Sequence, residues 1–328
     1  MKSSWTAVAH PNIALVKYWG KRDDTLNLPA VGSISITLDT LESRTTLQEH
    51  RTATEDEFYL NGQPAPASQQ QRIQQLLDIF RQSTGEKRYF IVHSTNNFPT
   101  GAGLASSASG FAALAVAANA AFGQPFQIQE LSAIARRGSG SAARSIFGGW
   151  VEMHRGERPD GSDAVAEPIL PPEAWPLTVF VCITSTATKA IGSTEGMQLT
   201  ARTSPFYAAW VSAQEADLAA MRQAIQQRDF QQVVAIAEHS CLKMHGLMLS
   251  ARPGLLYWNS TTVLIMHRVR EMREKGIPVF FTIDAGPQVK VICPPEVTDT
   301  VAHYLQSIPE IQKIYRTGLG NGARLVSP

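Results

Sequence analysis

The sequence predicts an α+β protein of two lobes. The first hundred residues are rich in segments of alternating or β-branched apolar residues, whereas helical periodicity dominates the chain beyond about residue 205. The length of 328 residues exceeds what one compact core usually holds, so it allows two domains or one large α/β domain, and the change of pattern favours two. We therefore expect one domain over residues 1–185 and a second over residues 186–328.

The predicted first lobe is a set of strands with helices between them. A helix is expected over 68–82, because Ile73, Leu76 and Phe80 recur at helical spacing, and two more are expected over 104–121 and 127–136. The segment 136–145, RRGSGSAARS, is predicted to be irregular because it is rich in Gly and Ser. Strands are expected at 5–9, 31–38, 43–48, 57–60, 88–94, 149–153 and 177–184, the last of which closes the first domain.

The predicted second lobe starts with helices and ends with a small sheet. Helices are expected at 205–227, 229–249 and 257–275. They are followed by strands at 278–283 and 288–293, a helix at 296–306 and a terminal strand. We find no internal repeat and no low-complexity tract, so a solenoid or a disordered linker is not predicted.

Composition excludes several classes of partner. The 29 basic and 28 acidic residues leave a net charge of +1, which gives no electrostatic basis for binding nucleic acid. The longest apolar run, 111–122, is interrupted by Asn119 and is too short to span a bilayer, so no membrane is expected. The three cysteines are widely separated and the N-terminus lacks a signal-peptide pattern, which together favour the cytoplasm.

The stretch PTGAGLASSASG, residues 99–110, is typical of a phosphate-binding turn before a helix. Gly101 and Gly103 allow close approach of the backbone, and Ser106 and Ser107 follow at the start of the apolar helix. It is not a Walker loop, because no lysine precedes the hydroxyl residue. Composition alone leaves open a second interpretation, a helix cap with a small-residue contact to the sheet.

Three other segments carry candidate chemistry. PNIALVKYWGK places Lys17 and Lys21 around two aromatic residues at the end of an apolar run, although a snorkelling lysine beside a core aromatic would look the same. Arg144 in RRGSGSAARS offers a planar fork for a carboxylate or phosphate. Asp284 in FTIDAGP is an isolated acid after an apolar strand, which suits a catalytic carboxylate or a turn former.

In order and spacing, PNIALVKYWGK, NNFPTGAGLASSASG, RRGSGSAARS, IGSTEGM and FTIDAGP resemble the mevalonate diphosphate decarboxylases of the GHMP kinase superfamily. The resemblance covers residues 5 to 293. It implies a two-lobed GHMP kinase fold, with a ribosomal-protein-S5-like N-terminal domain and a ferredoxin-like C-terminal domain. It also implies a homodimer that converts 5-diphosphomevalonate and ATP into isopentenyl diphosphate, ADP, phosphate and carbon dioxide, with Mg²⁺, in the mevalonate pathway of isoprenoid biosynthesis.

The resemblance also implies roles for individual residues. Asp284 faces the tertiary 3-hydroxyl as base or orienting group, Lys17 lies beside it, and Arg144 binds the substrate carboxylate. The ATP phosphates contact Gly101, Gly103, Ser106 and Ser107, of which Ser107 also reaches the metal. The remaining substrate contacts are implied for Tyr18, Trp19, Gly20, Lys21, Arg72, Ser139, Gly140, Ser141 and Thr194.

Two departures from the family pattern leave the substrate open. Val31-Gly32-Ser33 stands where the family often has Asn-Ser-Ser, and Gln288 follows DAGP where Asn is common. A decarboxylase of 5-phosphomevalonate, a small-molecule kinase of the same superfamily that releases no carbon dioxide, and a nucleotide- or metabolite-binding module without turnover therefore remain as alternatives. The presence of Asp284, Lys17 and Arg144 together favours the decarboxylase.

Overall fold

A computed structural model describes residues 4–98, 106–187 and 189–327 of the chain. The first lobe contains two larger sheets. One has the strand order β16-β1-β6-β9-β7-β8 and the other has the order β11-β10-β5-β2. The strands of the first sheet are β1 (Ser4–Ala9), β6 (Ser43–Glu49), β7 (Glu57–Leu60), β8 (Gln63–Pro64), β9 (Phe90–Asn96) and β16 (Arg324–Val326). Those of the second are β2 (Asn12–Val16), β5 (Ser33–Thr37), β10 (Trp150–Met153) and β11 (Ala166–Leu170).

The second lobe contains one antiparallel sheet of order β13-β14-β12-β15. Its strands are β12 (Thr178–Ile183), β13 (Phe280–Ile283), β14 (Val289–Cys293) and β15 (Lys313–Thr317). A fourth, two-stranded ribbon pairs β3 (Lys21–Asp23) with β4 (Leu28–Pro29) immediately after the lysine-aromatic segment. The strands β2 and β5 are buried along their whole length, which is why their side chains, apart from that of Asn12, are apolar or small hydroxyls.

The helices cover the sheets of both lobes. In the first lobe they are α1 (Ala67–Thr84), α2 (Ser106–Ala121), α3 (Ile128–Gly138) and α4 (Ala142–Ser145). In the second they are α5 (Ser193–Thr203), α6 (Tyr207–Gln227), α7 (Phe230–Leu249), α8 (Ser260–Glu274) and α9 (Thr298–Gln306). Helix α2 is buried almost all round through its alanines, so it forms the centre of the first core. Among the helices described, none combines the length and apolar character needed to cross a membrane.

The side chains that cap the helices are those that sequence rules favour. The carboxylate of Asp229 accepts the amide of Gln232 at the start of α7, and the side chain of Asn259 accepts the amide of Thr262 at the start of α8. At the end of α1, Gly85 takes a φ of 72°, the left-handed conformation that glycine adopts without strain. These capping residues set where the helices begin and end, which explains why the predicted helix ends lie within a few residues of the observed ones.

Several elements of the structure differ from the sequence prediction. Segment 136–145 is not irregular throughout, because Arg136–Gly138 ends α3 and Ala142–Ser145 forms α4. Strand β12, expected to close the first lobe, pairs with β14 and β15 of the second lobe, while the terminal strand β16 pairs with β1 of the first. Helix α5 was not predicted. An apolar strand buried on both faces carries no signal for which sheet it joins.

Candidate active site

Lys17 and Asp284 meet where the two lobes touch. Lys17 follows β2 of the first lobe and Asp284 follows β13 of the second, and Lys17 Nζ lies 2.6 Å from Asp284 Oδ1. A second lysine, Lys290 on β14, places its Nζ 3.1 Å from Asp284 Oδ2. The side chains of both lysines are 1% exposed, whereas the Asp284 side chain is 26% exposed. Asp284 is therefore the member of this cluster that a substrate can reach.

The lysines determine the charge state of Asp284. Burial would raise the pKa of this carboxyl, but the ammonium groups of Lys17 and Lys290 outweigh burial and hold its pKa well below the usual range. Burial lowers the pKa of Lys290, and Asp284 opposes that shift. Asp284 is thus an anion at neutral pH, ready to accept a hydrogen bond.

The backbone of Lys17 is held by two helices of the opposite lobe. Its N–H donates to Ser240 Oγ on α7 at 2.9 Å, and its carbonyl accepts from Gln214 Nε2 on α6 at 2.8 Å. Ser240 and Gln214 are both buried. Because these bonds fix the backbone on either side of the Lys17 side chain, they determine where its ammonium group lies relative to Asp284.

Arg144 is a buried cation without a carboxylate partner among the described residues. It is 2% exposed, and its guanidinium donates to Asn12 Oδ1 at 3.1 and 2.9 Å, to Ser35 Oγ at 2.9 Å and to Ser33 Oγ at 2.5 Å. These bonds involve Nε and one hydrogen on each terminal nitrogen, three of the five N–H donors of arginine. Burial lowers its pKa to about 10, which still leaves it fully charged at neutral pH. Its two remaining donors suit a carboxylate.

Tyr18 and Gly140 form a tight contact beside Arg144. A Cβ on Gly140 would lie 2.3 Å from Tyr18 Oη, so only glycine fits there. The Tyr18 hydroxyl is buried without a hydrogen-bond partner in the described part of the chain. Burial raises the pKa of Tyr18 to about 12, against the opposing effect of Arg144 and Arg136. A buried, protonated hydroxyl of this kind is a donor that awaits an acceptor from a ligand.

Lys21 and Arg72 add positive charge to the same end of the site. Burial lowers the pKa of Lys21, and Asp24, 3.6 Å from its Nζ, partly restores it, while Arg72 lowers it further. The guanidinium of Arg72 stacks over the ring of Phe111 at 4.7 Å and donates from Nε to the Gly138 carbonyl at 2.9 Å. Two cations close enough to influence each other, beside an unpartnered hydroxyl, suit a polyanionic group.

The two serine-bearing segments predicted to bind phosphate come together. Ser107 Oγ in the first turn of α2 lies 3.1 Å from Ser139 Oγ at the end of α3. Ser141 contributes its carbonyl to Asn12, the residue that also holds Arg144. Gly101 and Gly103 lie outside the described residues. Next to Ser107, a pocket of about 100 Å³ is lined mainly by Phe58, Ile73, Phe111 and Leu114, with Ser106 and Arg72 at its polar side.

Trp19 and Gly20 lie behind the site as supports. Trp19 is buried, its indole N–H donates to Thr200 Oγ1 at 2.8 Å, and its carbonyl accepts from Trp210. Gly20 has a φ of 101°, and a Cβ there would lie 2.3 Å from the hydroxyl of Tyr207. Both residues tie the segment after β2 to helices α5 and α6 of the second lobe.

Two lysines of the site were missed by sequence reasoning. Lys189 donates to the Ala285 carbonyl at 2.9 Å and to Ser193 Oγ at 3.1 Å, whereas the predicted Thr194 is exposed in the first turn of α5. Lys290 could have been found as a lone cation between Val289 and Val291, because a lysine in a buried strand needs an ionic partner. Lys189 carries no comparable signal, since it lies in a polar segment.

Neither departure from the family pattern presents a new group to the site. Val31 is buried in an apolar cluster, and a Cβ on Gly32 would lie 2.7 Å from Leu218 of α6. The Gln288 amide accepts from the Thr184 amide at 2.7 Å and donates to the Ser185 carbonyl at 2.5 Å. These residues pack and brace the backbone, so they give no reason to change the number of phosphates in the substrate.

Comparison with known proteins places this geometry in a family. A family model described as the diphosphomevalonate decarboxylase-like N-terminal domain matches residues 9–166, and one described as the mevalonate 5-diphosphate decarboxylase C-terminal domain matches residues 179–321. The diphosphomevalonate decarboxylase of Ganoderma lucidum is 38% identical over 313 residues, which cover 89% of this chain and 78% of the relative. The human diphosphomevalonate decarboxylase is 36% identical over 323 residues, 92% of this chain and 79% of the relative.

Solved structures agree in fold over the whole chain. The mevalonate diphosphate decarboxylase of Staphylococcus aureus superposes with a TM-score of 0.92 at 36% identity, covering 100% of this chain and 99% of that one. A structure of a protein called MDDEF in complex with MVAPP, AMPPCP and magnesium superposes with a TM-score of 0.90 at 38% identity and covers 99% of both chains. This α+β fold is that of the GHMP kinases, and the chain belongs to the diphosphomevalonate decarboxylase family.

Proposed function

We propose that this protein catalyses the ATP-dependent decarboxylation of 5-diphosphomevalonate to isopentenyl diphosphate, with release of ADP, phosphate and carbon dioxide. The observation that carries the proposal is the Lys17–Asp284 pair at the junction of the lobes, 2.6 Å long, with the charged Arg144 close enough for its guanidinium and Asp284 to influence each other. One carboxylate acceptor and one guanidinium with spare donors match a substrate that carries a hydroxyl and a carboxylate.

The residues present fit ATP with Mg²⁺. The apolar pocket beside Ser107 suits a nucleotide base, and the first turn of α2 offers backbone N–H groups and the hydroxyls of Ser106 and Ser107 to phosphates. In the described part of the chain, no group of three or more His, Cys, Asp or Glu side chains could hold a metal. Mg²⁺ would therefore be held mainly by the nucleotide's phosphates together with Ser107, and it would neutralise phosphate charge.

The first step is transfer of the γ-phosphoryl group to the 3-hydroxyl oxygen. The ionised carboxylate of Asp284 accepts a hydrogen bond from the 3-hydroxyl group. This bond orients the hydroxyl oxygen toward the γ-phosphorus of ATP. A new O–P bond forms as the bond to the ADP oxygen breaks. In a loose transition state the alcohol needs little deprotonation beforehand, so even a weak base such as Asp284 can take the proton late. Lys17 stabilises negative charge on the transferring group.

The second step breaks a carbon–carbon bond. Departure of phosphate from C3 builds positive charge at that carbon, the C1–C2 bond then breaks, and its electron pair forms the C2–C3 double bond as carbon dioxide leaves. Arg144 holds the carboxylate so that the C1–C2 bond lies in line with the empty orbital at C3. Tyr18, Lys21 and Arg72 bind the diphosphate at the far end of the substrate.

The test is a coupled assay of ADP release with carbon dioxide followed in parallel. Mevalonate, 5-phosphomevalonate and 5-diphosphomevalonate are compared under identical conditions. We expect equimolar ADP and carbon dioxide with the diphosphate alone. Preference for the monophosphate would make the enzyme a phosphomevalonate decarboxylase, ADP without carbon dioxide would make it a kinase, and no turnover with any of the three would contradict an enzymatic function.

We propose further that the enzyme is a cytoplasmic homodimer. Its three cysteines are free thiols, as expected in a reducing compartment, and both of its small-molecule substrates are phosphorylated. Phe206 and Leu256 expose 59% and 70% of their surface, and contact with a second copy of the chain would cover such side chains.

A further inference from the structure

Lys290 has no place in the proposed chemistry, yet it contacts the catalytic carboxylate. Its register on β14 pairs it with Thr282 on β13, and antiparallel partners project to the same face of a sheet. Thr282 Oγ1 donates to the Ala14 carbonyl of β2, so this face of the sheet is the one that meets the first lobe. Lys290 therefore extends from the face of the sheet that meets the first lobe, and its Nζ lies 3.1 Å from Asp284 Oδ2.

We propose that Lys290 is a positioning residue that holds Asp284 in its productive orientation and leaves Lys17 available to the transferring phosphoryl group. The proposal rests on the reaction given above. Each carboxylate oxygen of Asp284 has one lysine, Oδ1 from the first lobe and Oδ2 from the second. Lys290 lies on β14, which pairs with β13, the strand that Asp284 follows. The bond to Lys290 therefore still holds the carboxylate when the Lys17 ammonium group turns toward the substrate.

A purely structural need does not account for a lysine at this position. Val289, Val291 and Cys293 fill the same strand with apolar side chains, and burying an ammonium group costs free energy that a well-packed apolar residue avoids. Asp284 already has a cationic partner in Lys17, whose Nζ lies closer to the carboxylate than that of Lys290 does. A second buried lysine on one carboxylate is therefore expected to serve the orientation and charge of that carboxylate.

The surroundings of Asp284 contain several other ionisable groups. Besides Lys17, which follows β2, the groups that interact electrostatically with Asp284 include Lys189, Arg144, Cys241 and His245. Burial lowers the pKa of His245 to about 3 and raises that of Cys241, so both are neutral near pH 7. The cationic groups around Asp284 are therefore lysine and arginine side chains. Removing Lys290 lowers the positive charge near Asp284, and neither Cys241 nor His245 replaces that charge near pH 7.

The test compares Lys290→Met and Lys290→Gln with the wild type. In Lys290→Met we expect kcat to fall by about 10- to 100-fold, the scale of a misplaced catalytic group, with KM for 5-diphosphomevalonate little changed. The pKa of Asp284 must rise when a cation is removed, so the acid limb of the pH profile of kcat/KM moves to higher pH. Lys290→Gln keeps a donor for Oδ2 and should recover part of kcat while its acid limb stays displaced.

Lys243→Met is the matched control, since Lys243 forms an ion pair with Asp217 between α6 and α7. It should retain the kcat and pH profile of the wild type. A Lys290→Met enzyme with a lower melting temperature but unchanged kcat and pH profile would overturn the proposal. If Lys290→Met does not fold, the same result in Lys290→Gln would overturn it. A wild type without turnover would contradict the proposed function instead, so the two failures are distinguishable.

Discussion

Arg144 and Lys17 are both buried cations at the site, and their partners differ in charge. Lys17 pairs with the carboxylate of Asp284 at 2.6 Å, so it has an anionic partner before any ligand binds, although it shares that partner with Lys290. Arg144 is surrounded by neutral oxygens, those of Asn12, Ser33 and Ser35. Burying a charge with dipoles alone is costly, and the cost is recovered when an anion binds. This difference supports the proposal that Arg144 binds the substrate carboxylate and that Lys17 stabilises the group that develops charge during the reaction.

A second buried arginine, Arg136, can be compared directly with Arg144. Arg136 is as buried as Arg144, and its guanidinium donates to the carbonyls of Leu26, Gly161 and Ala164. These bonds hold the loops around β4 and before β11 to helix α3. Both arginines use Nε and one hydrogen on each terminal nitrogen, but Arg136 bonds backbone carbonyls, whereas Arg144 bonds side chains and lies close enough to Asp284 for the two charges to influence each other. This difference in surroundings supports the proposal that Arg144 binds the substrate while Arg136 holds the fold.

The largest effect is expected from Asp284→Asn, which removes the charge that Lys17 and Lys290 balance. We expect kcat to fall by about 1000-fold, the loss typical of a removed acid–base group, because the amide neither takes the hydroxyl proton nor pairs with Lys17. Binding of 5-diphosphomevalonate, measured by calorimetry, should persist because Arg144 and Tyr18 are unchanged. Single-turnover measurement of ADP formation checks the loss directly.

Asp217→Asn is the control for this variant, because Asp217 is paired with Lys243 outside the site. It should turn over like the wild type. If Asp284→Asn retained a tenth or more of the wild-type kcat, the Lys17–Asp284 pair would not be the reacting centre, and the comparison with Arg144 would lose its basis.

The next largest effect is expected from Arg144→Lys. Lysine keeps the charge but loses the planar fork that the neutral oxygens orient, so we expect kcat/KM for carbon dioxide release to fall by about 100-fold. Arg136→Lys should instead lower the melting temperature, because it removes bonds to backbone carbonyls, and should leave kcat of the folded enzyme unchanged. Equal losses of activity in the two variants would contradict the distinction between a reserved and a structural arginine.

The sequence predicted most of the fold, and of the residues that it singled out in local motifs the structure brings Lys17 and Asp284 into contact. Helix periodicity, caps and turn residues act over a few residues, so α1, α6, α7 and α8 were located to within a few residues of their observed bounds. Strand pairing is a long-range property. That is why β12 was not assigned to its sheet, since an apolar strand fits several partners equally well, and why β16, a short and largely exposed strand, was not assigned either.

The parts of the site that could not be predicted are those that depend on contacts across the lobes. Lys290, Ser240 and Gln214 reach the site from strands and helices far along the chain, and none stands in a motif. Trp19 was expected to contact substrate because it lies in KYWGK, but it packs in a buried cluster. Neighbours in sequence can point to opposite sides of one segment, and only the packed structure shows which side faces the ligand.

The smallest effect is expected from Ser240→Ala, which tests whether the second lobe positions Lys17. Removing the hydroxyl leaves the buried Lys17 N–H without an acceptor, so the free energy of unfolding should fall by about 1 to 3 kcal/mol. The Gln214 bond to the Lys17 carbonyl remains, so kcat should fall only a few-fold. Ser132→Ala is the control, because Ser132 also accepts a buried backbone amide, that of Ala166. It should lose similar stability in chemical denaturation but no activity. Equal kcat in the two variants would show that the Gln214 bond alone is sufficient to hold the Lys17 backbone. The Lys17 ammonium group would then be positioned by Asp284 as much as by its own backbone.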